Sequence, residues 1–211
     1  SQIRSLGRLA FFYNEDNIRK ALIKERDRLE ELPDDPEYFE LMDVQEDGKY
    51  SDGKEFISGA AHTKRKGWIS IFLAASISGG TGSGMFIDLA AMVRELFKDH
   101  WLKPRIYGIL VLPSVFKRTA SSRITRANAY AALKEIDYFM SGGRFNASYP
   151  SGHKVDVTDR LFDDGTLYLL DVENMAGNSL HGRDQVYGLA GQFISTFISS
   201  TAAGAIEEKT V

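Results

Sequence analysis

The stretch from Trp68 to Asp99, WISIFLAASISGGTGSGMFIDLAAMVRELFKD, constrains the fold more than any other part of the chain. Ile69 to Ile77 is an almost unbroken apolar run of strand length, the pattern of a parallel strand covered on both faces. Ser78 to Gly84 reads as a small polar loop with four glycines. From Met85 onward Phe86, Leu89, Ala90, Val93 and Phe97 recur at helical spacing, with Asp88, Glu95, Lys98 and Asp99 on the other side. Buried strand, glycine loop and helix start together predict an anion seat. Glycines allow close backbone approach, amide hydrogens line the concavity, and the helix N-terminus adds positive potential.

Two common phosphate loops are excluded by the residues present. A Walker loop needs Lys after its last glycine, where Met85 stands. The dinucleotide fingerprint needs Gly-x-Gly-x-x-Gly, and Gly79, Gly80, Gly82 and Gly84 fit no such register. A flexible Gly/Ser linker is the plain alternative, but linkers seldom lie tightly between a buried strand and an amphipathic helix. The run Gly79-Gly80-Thr81-Gly82-Ser83-Gly84 resembles the signature loop of the tubulin and FtsZ superfamily of GTPases. That resemblance spans roughly residues 69–203 and implies a prokaryotic tubulin-like protein. The fold implied is α/β, a Rossmann-like three-layer α/β/α with a mostly parallel sheet, like the tubulin nucleotide-binding domain. It also implies GTP/GDP as ligand, with Mg²⁺ held through phosphates and water, and head-to-tail self-association with hydrolysis at the subunit joint.

The rest of the chain reads in order. Ser1 to Tyr13 forms either a polar loop entering a short apolar segment, similar to a second phosphate loop of the superfamily, or a frayed terminus. Asn14 to Leu32 predicts a helix, with Asn14 as N-cap, Glu15 and Asp16 in the first turn, and Ile18, Leu22, Leu29 and Leu32 as a sparse stripe. Pro33 and Pro36 end it. Residues 33–67 are polar, with Asp47-Gly48 and Asp52-Gly53 as turn signals, and read as a surface insertion partly ordered as a hairpin. Its Lys64-Arg65-Lys66 cluster meets a partner or a phosphate, or simply keeps the following strand soluble.

After the organising stretch, Trp101 to Pro104 predict a turn and Arg105 to Leu112 a second buried strand. The absence of an acidic residue at Leu112-Pro113 argues against a dehydrogenase. Ser114 to Arg126 reads as a loop carrying Lys117, Arg118, Arg123 and Arg126. By resemblance Arg123 and Arg126 reach the nucleotide; otherwise they face water. Ala127 to Met140 predicts a helix with Tyr130, Leu133, Ile136 and Met140 inward, and Asn128-Ala129 is similar to the family's Tyr-Asn-Ala stretch. Residues 141–164 read as irregular, and Thr166 to Asp171 as a third strand. Asn174 is then the candidate for hydrogen bonding guanine, or a turn former. Asp184 to about Ala203 predicts a long helix similar to the family's central helix, with Val186, Leu189, Ala190, Phe193, Ile194, Phe197 and Ile198 on one face. Tyr187 there matches the aromatic that stacks on the base, or is a packing residue. Gly191 stands where the family commonly has Asn or Asp reading guanine, which loosens the expectation of guanine specificity.

Composition adds bounds. The 211 residues, 43% hydrophobic and 26% charged, suit a single domain, and a net charge of -3 gives no electrostatic case for nucleic-acid binding. There is no cysteine, and His62, His100, His153 and His181 lack metal-ligand spacing. With no apolar run near the ~20 residues of a membrane span, a cytoplasmic protein is expected. Three strands with bare edges make a poor autonomous sheet, so the chain reads as a tubulin-like domain incomplete at both ends. Glu207 and Glu208 read as the solvated end of a helix, so no catalytic residue is assigned and a GTP hydrolase would need a neighbour's acidic loop. A non-catalytic nucleotide-binding or scaffold module of a larger protein is the alternative.

Overall fold

A computed structural model describes residues 3–30, 43–44, 50–51, 67–116, 122–173, 177, 179–180 and 182–198. Its elements in order are α1 (Arg4–Glu30), β1 (Asp43–Val44), β2 (Tyr50–Ser51), β3 (Gly67–Ser76), α2 (Gly80–Leu96) and β4 (Leu102–Val111). A 3₁₀ turn (Pro113–Phe116) then leads to α3 (Ser122–Met140), β5 (Phe145–Ser148), β6 (Lys154–Val157), β7 (Leu167–Leu170) and α4 (Arg183–Ile198). Strands β3, β4 and β7 form a parallel sheet in that order, with β4 in the centre. The predicted α/β class and its parallel sheet are observed.

Strand alternation sorts the two faces. Ile106 and Leu110 on β4 face the larger core, where Phe86, Ala90, Met92 and Val93 of α2 and Phe11 of α1 are buried. The opposite face carries Phe72 stacked on Tyr107 (ring centroids 4.9 Å apart), both covered by Phe197 of α4. Helices thus cover both sides of the sheet, the three-layer arrangement that nearly continuous apolar strands require.

Several boundaries differ from the sequence reading, each for a physical reason. Helix α1 begins at Arg4, not Asn14. Asn14 is therefore no cap, and its amide donates to the Ala10 carbonyl (2.8 Å). The predicted loop over Ser1 to Tyr13 is helix from Arg4 on, and Gly7 serves packing rather than a turn. Strand β4 starts at Leu102, where a turn was expected, and contains Pro104. The amides of Ile106 and Gly108 point to Asp163 Oδ2 and the Thr166 carbonyl. By alternation Pro104's missing N–H lies on that same edge, beyond the reach of β7, so no sheet bond is lost.

Helix α3 starts at Ser122, which places Arg123 and Arg126 on a helix rather than in a loop. Its inward residues are Thr125, Ala129, Ala132 and Ile136, while Tyr130 is exposed. The expected irregular span after Met140 contains the antiparallel hairpin β5–β6. Phe145, Ala147, Val155 and Val157 alternate inward onto α2, a period-2 pattern present in the sequence. Within the polar insertion, β1 and β2 pair antiparallel as the hairpin reading expected. Lys64-Arg65-Lys66, Lys117, Arg118, Glu207 and Glu208 lie outside the described residues. No helix among the described residues is long and apolar enough to cross a membrane.

Candidate functional site

The bend between β3 and α2 is shorter than the predicted loop. Only residues 77–79 lie between strand and helix, and Gly80 to Gly84 form the first turn and more of α2. The backbone there is held tightly. Ile77 donates its amide to the Val111 carbonyl (3.2 Å) and Ser78 donates to Ser76 Oγ (3.2 Å). Buried Asn128, from α3, donates its amide to the Ser78 carbonyl (3.0 Å). The Ser83 hydroxyl donates to the Gly79 carbonyl. Gly79 is the N-cap of α2 and supplies no side-chain cap to the first-turn amides.

The four glycines do different work. A Cβ on Gly80 would meet the Ile3 carbonyl oxygen at 2.7 Å, and one on Gly84 would meet the Arg8 amide at 2.8 Å. A Cβ on Gly82 would collide with the Ser76 carbonyl. Gly7 faces the same joint from α1, where a Cβ would lie 2.9 Å from Thr81 Cα. These residues are small so that two helix backbones and a strand can touch. Gly79 is the exception. Its φ of -84° and ψ of 174° suit any residue, and a Cβ there would meet nothing among the described residues within 4 Å.

Around this joint the charges are paired. Arg4 donates through Nε to the Ser83 carbonyl (2.6 Å) and pairs with Glu135 on α3. Arg8 pairs with Asp88 (3.1 Å), and the Tyr149 hydroxyl donates to the same carboxylate (3.1 Å). Burial pushes the Asp88 carboxyl above its ordinary range, and Arg8 and Tyr149 offset part of that. Tyr149 is pushed upward by its own burial and by the Asp88 charge.

The sequence-predicted residues gather unevenly. Gly79 to Gly84 and Asn128 converge on the bend, with Asn128 shaping it through Ser78. Thr81 is exposed at the helix start, whereas Ser83 is buried and its hydroxyl donates to the Gly79 carbonyl. Arg126 is exposed on α3. Tyr187 is 46% exposed on α4, with the Arg183 guanidinium 6.0 Å from its ring centroid. Asn174 lies outside the described residues. Nothing in the described chain packs over Gly188 or Gly191. The sequence reading included Ser78 in the loop without giving it a role of its own, and the structure buries it at the bend. It missed the Ser114 hydroxyl donating to Asp171 where β4 and β7 end.

A parallel sheet covered by helices, with a helix starting at the carboxyl end of one strand, defines a Rossmann-like α/β domain. A family model described as tubulin-like matches residues 1–210, and the chain belongs to that family. No curated protein and no solved structure matches it.

Proposed function

We propose that the chain binds a guanine nucleotide at the bend after β3 and assembles head to tail, with the nucleotide in the joint between subunits. The observation that carries this reading is Gly79. Alone among the bend's glycines it has no packing or conformational reason within the described chain to lack a side chain. Close approach of a polyphosphate supplies that reason. The residues present fit the group: first-turn amides of α2 without a side-chain cap, the exposed Thr81 hydroxyl, and a buried Ser78 hydroxyl with no hydrogen-bond partner among the described residues. Bound Mg²⁺ would ride on the phosphates and neutralise part of their charge. Family resemblance supports GTP over other nucleotides, an acidic loop of the next subunit as the hydrolytic partner, and a joint that loosens on hydrolysis.

Gly191 favours a second reading. The family commonly places a guanine-reading Asn or Asp there, and this chain offers no side chain. A nucleotide-gated scaffold with relaxed base preference is the corresponding function. Calorimetric titration with GTP, ATP and GDP decides between them. GTP preferred over ATP supports the first reading, equal affinities the second, and no heat at millimolar ligand with an intact circular dichroism spectrum overturns both.

A further inference from the structure

We propose that His153 is a proton-operated clasp that fastens the tip of the β5–β6 hairpin to α1 and α2, closed when both ring nitrogens carry a proton and half open when one is lost. It stands apart from the bend and from the nucleotide reading. The turn of residues 149–153 is drawn tight by its own backbone. The Tyr149 amide donates to the His153 carbonyl (2.9 Å) and the Gly152 amide to the Tyr149 carbonyl (2.9 Å). This turn sets the His153 ring between two helices. Its Nδ1 lies 3.0 Å from Glu15 Oε1 on α1, and its Nε2 lies 3.4 Å from Glu95 Oε2 on α2. The Ser151 hydroxyl donates to the other Glu15 oxygen (2.5 Å). Arg19 of α1 stands 3.8 Å from Glu15, and the Tyr149 ring stacks on the imidazole (centroids 6.2 Å apart) while its hydroxyl donates to Asp88 of α2.

A ring with a carboxylate oxygen at each nitrogen needs two N–H donors, and only imidazolium has them. The neutral ring has one, so its other nitrogen turns a lone pair toward a carboxylate. Burial decides which contact yields. Glu15 is 1% exposed and cannot turn to water, whereas Glu95 is 31% exposed and can swing outward. Loss of the proton therefore leaves His153 donating to Glu15 and frees Glu95. Because the closed clasp uses the second proton and the half-open one does not, closure is favoured as pH falls and is lost as pH rises.

The experiment is hydrogen exchange of the full chain at about pH 5.5 and about pH 8, either side of the ordinary histidine value of ~6.5, with protection referred to the intrinsic rate at each pH. Wild type is compared with Glu95→Gln and His153→Gln. The amides read are those of Tyr149 and Gly152 in the turn, while Gly108 to Val111 of β4 check that the fold is intact. In the wild type, protection of the turn should fall about threefold to fivefold from the lower pH to the higher, the size of one half-exposed ion pair. In Glu95→Gln the new side-chain amide accepts from imidazolium and donates to the free nitrogen of the neutral ring, so protection should stay level. In His153→Gln it should be level too, at or below the value of the wild type at the higher pH. Equal wild-type protection at both pH values overturns the proposal, and that measurement needs neither variant to fold. A fall of the same size in either variant also overturns it, because the titrating contact would then lie elsewhere.

Discussion

Single side chains at the joint of α1, α2 and the hairpin carry costs that the fold must offset. Asp88 is 2% exposed, and its partner Arg8 is half in water. Because burial raises the folded-state value above the ordinary 3.8, the unfolded chain releases its proton first as pH rises. Asp88 therefore costs no stability below 3.8, and its penalty grows as pH climbs through the raised folded value. Asp88→Asn keeps an acceptor for Tyr149 and removes that slope. Its urea midpoint should vary less with pH from 3.8 upward than that of the wild type, and at neutral pH should be equal or higher. Denaturation curves across that range check it, and a lower midpoint at neutral pH would mean that the Arg8 pair outweighs the burial. Glu15 makes a contrasting case. It is 1% exposed and accepts from Ser151 Oγ (2.5 Å) while facing His153 Nδ1 (3.0 Å), so Glu15→Ala strands two partners. That change should cost about 2–3 kcal/mol, within the range for breaking buried hydrogen-bonded groups, read as a drop in the urea midpoint. Sequence placed Glu15 in a helix's first turn without its partners, because they lie over 130 positions away, a separation that no local pattern reports.

Elements show where local patterns sufficed. Strands β3 and β7 and helix α2 were legible because each carries its burial in a run or a 3.6 period of its own. Helix α1 was cut short because Gly7 reads as punctuation, and the backbone it approaches belongs to Gly80. The same closeness yields a contrast between glycines. Gly84→Ala gains about 1 kcal/mol of helix propensity but drives a methyl into fixed backbone of α1, an overpacking cost of about 1–3 kcal/mol or more. Since no rotamer can relieve a clash with backbone, the clash should win and the unfolding midpoint should fall. Gly79→Ala meets nothing, so it should leave stability unchanged while weakening GTP binding. On α4, Gly188→Ala and Gly191→Ala should each raise stability by about 0.5–1 kcal/mol, since none of the described residues lies above either. Thermal unfolding of the four variants, with GTP titration of the Gly79 variant, tests the set.

At the scale of the whole molecule, the sheet order makes β4 the structural centre and puts the bend at one end of it. Leu102, Ile106, Ile109 and Leu110 are at most 1% exposed, and β4 is paired on both sides where β7 reaches it. Its amides from Gly108 to Val111 should therefore exchange slowest with deuterium, at rates approaching the global unfolding limit, while the outer edges of β3 and β7 exchange by local opening. Fold class was legible because the alternation of strands and helices dictates layers, but the place of the bend in three dimensions depends on Asn128 and α1, which arrive from distant sequence. Those contacts make a spatial prediction. Under conditions where local opening dominates exchange, GTP should add protection to amides 77–83 and to the first turns of α3, because Asn128 transmits any tightening of the Ser78 carbonyl. The β5–β6 hairpin, packed on α2, should be unaffected. Protection gained instead near Leu102 and Leu161, at the other end of the sheet, would place the ligand away from the glycines and break the link between the bend and nucleotide.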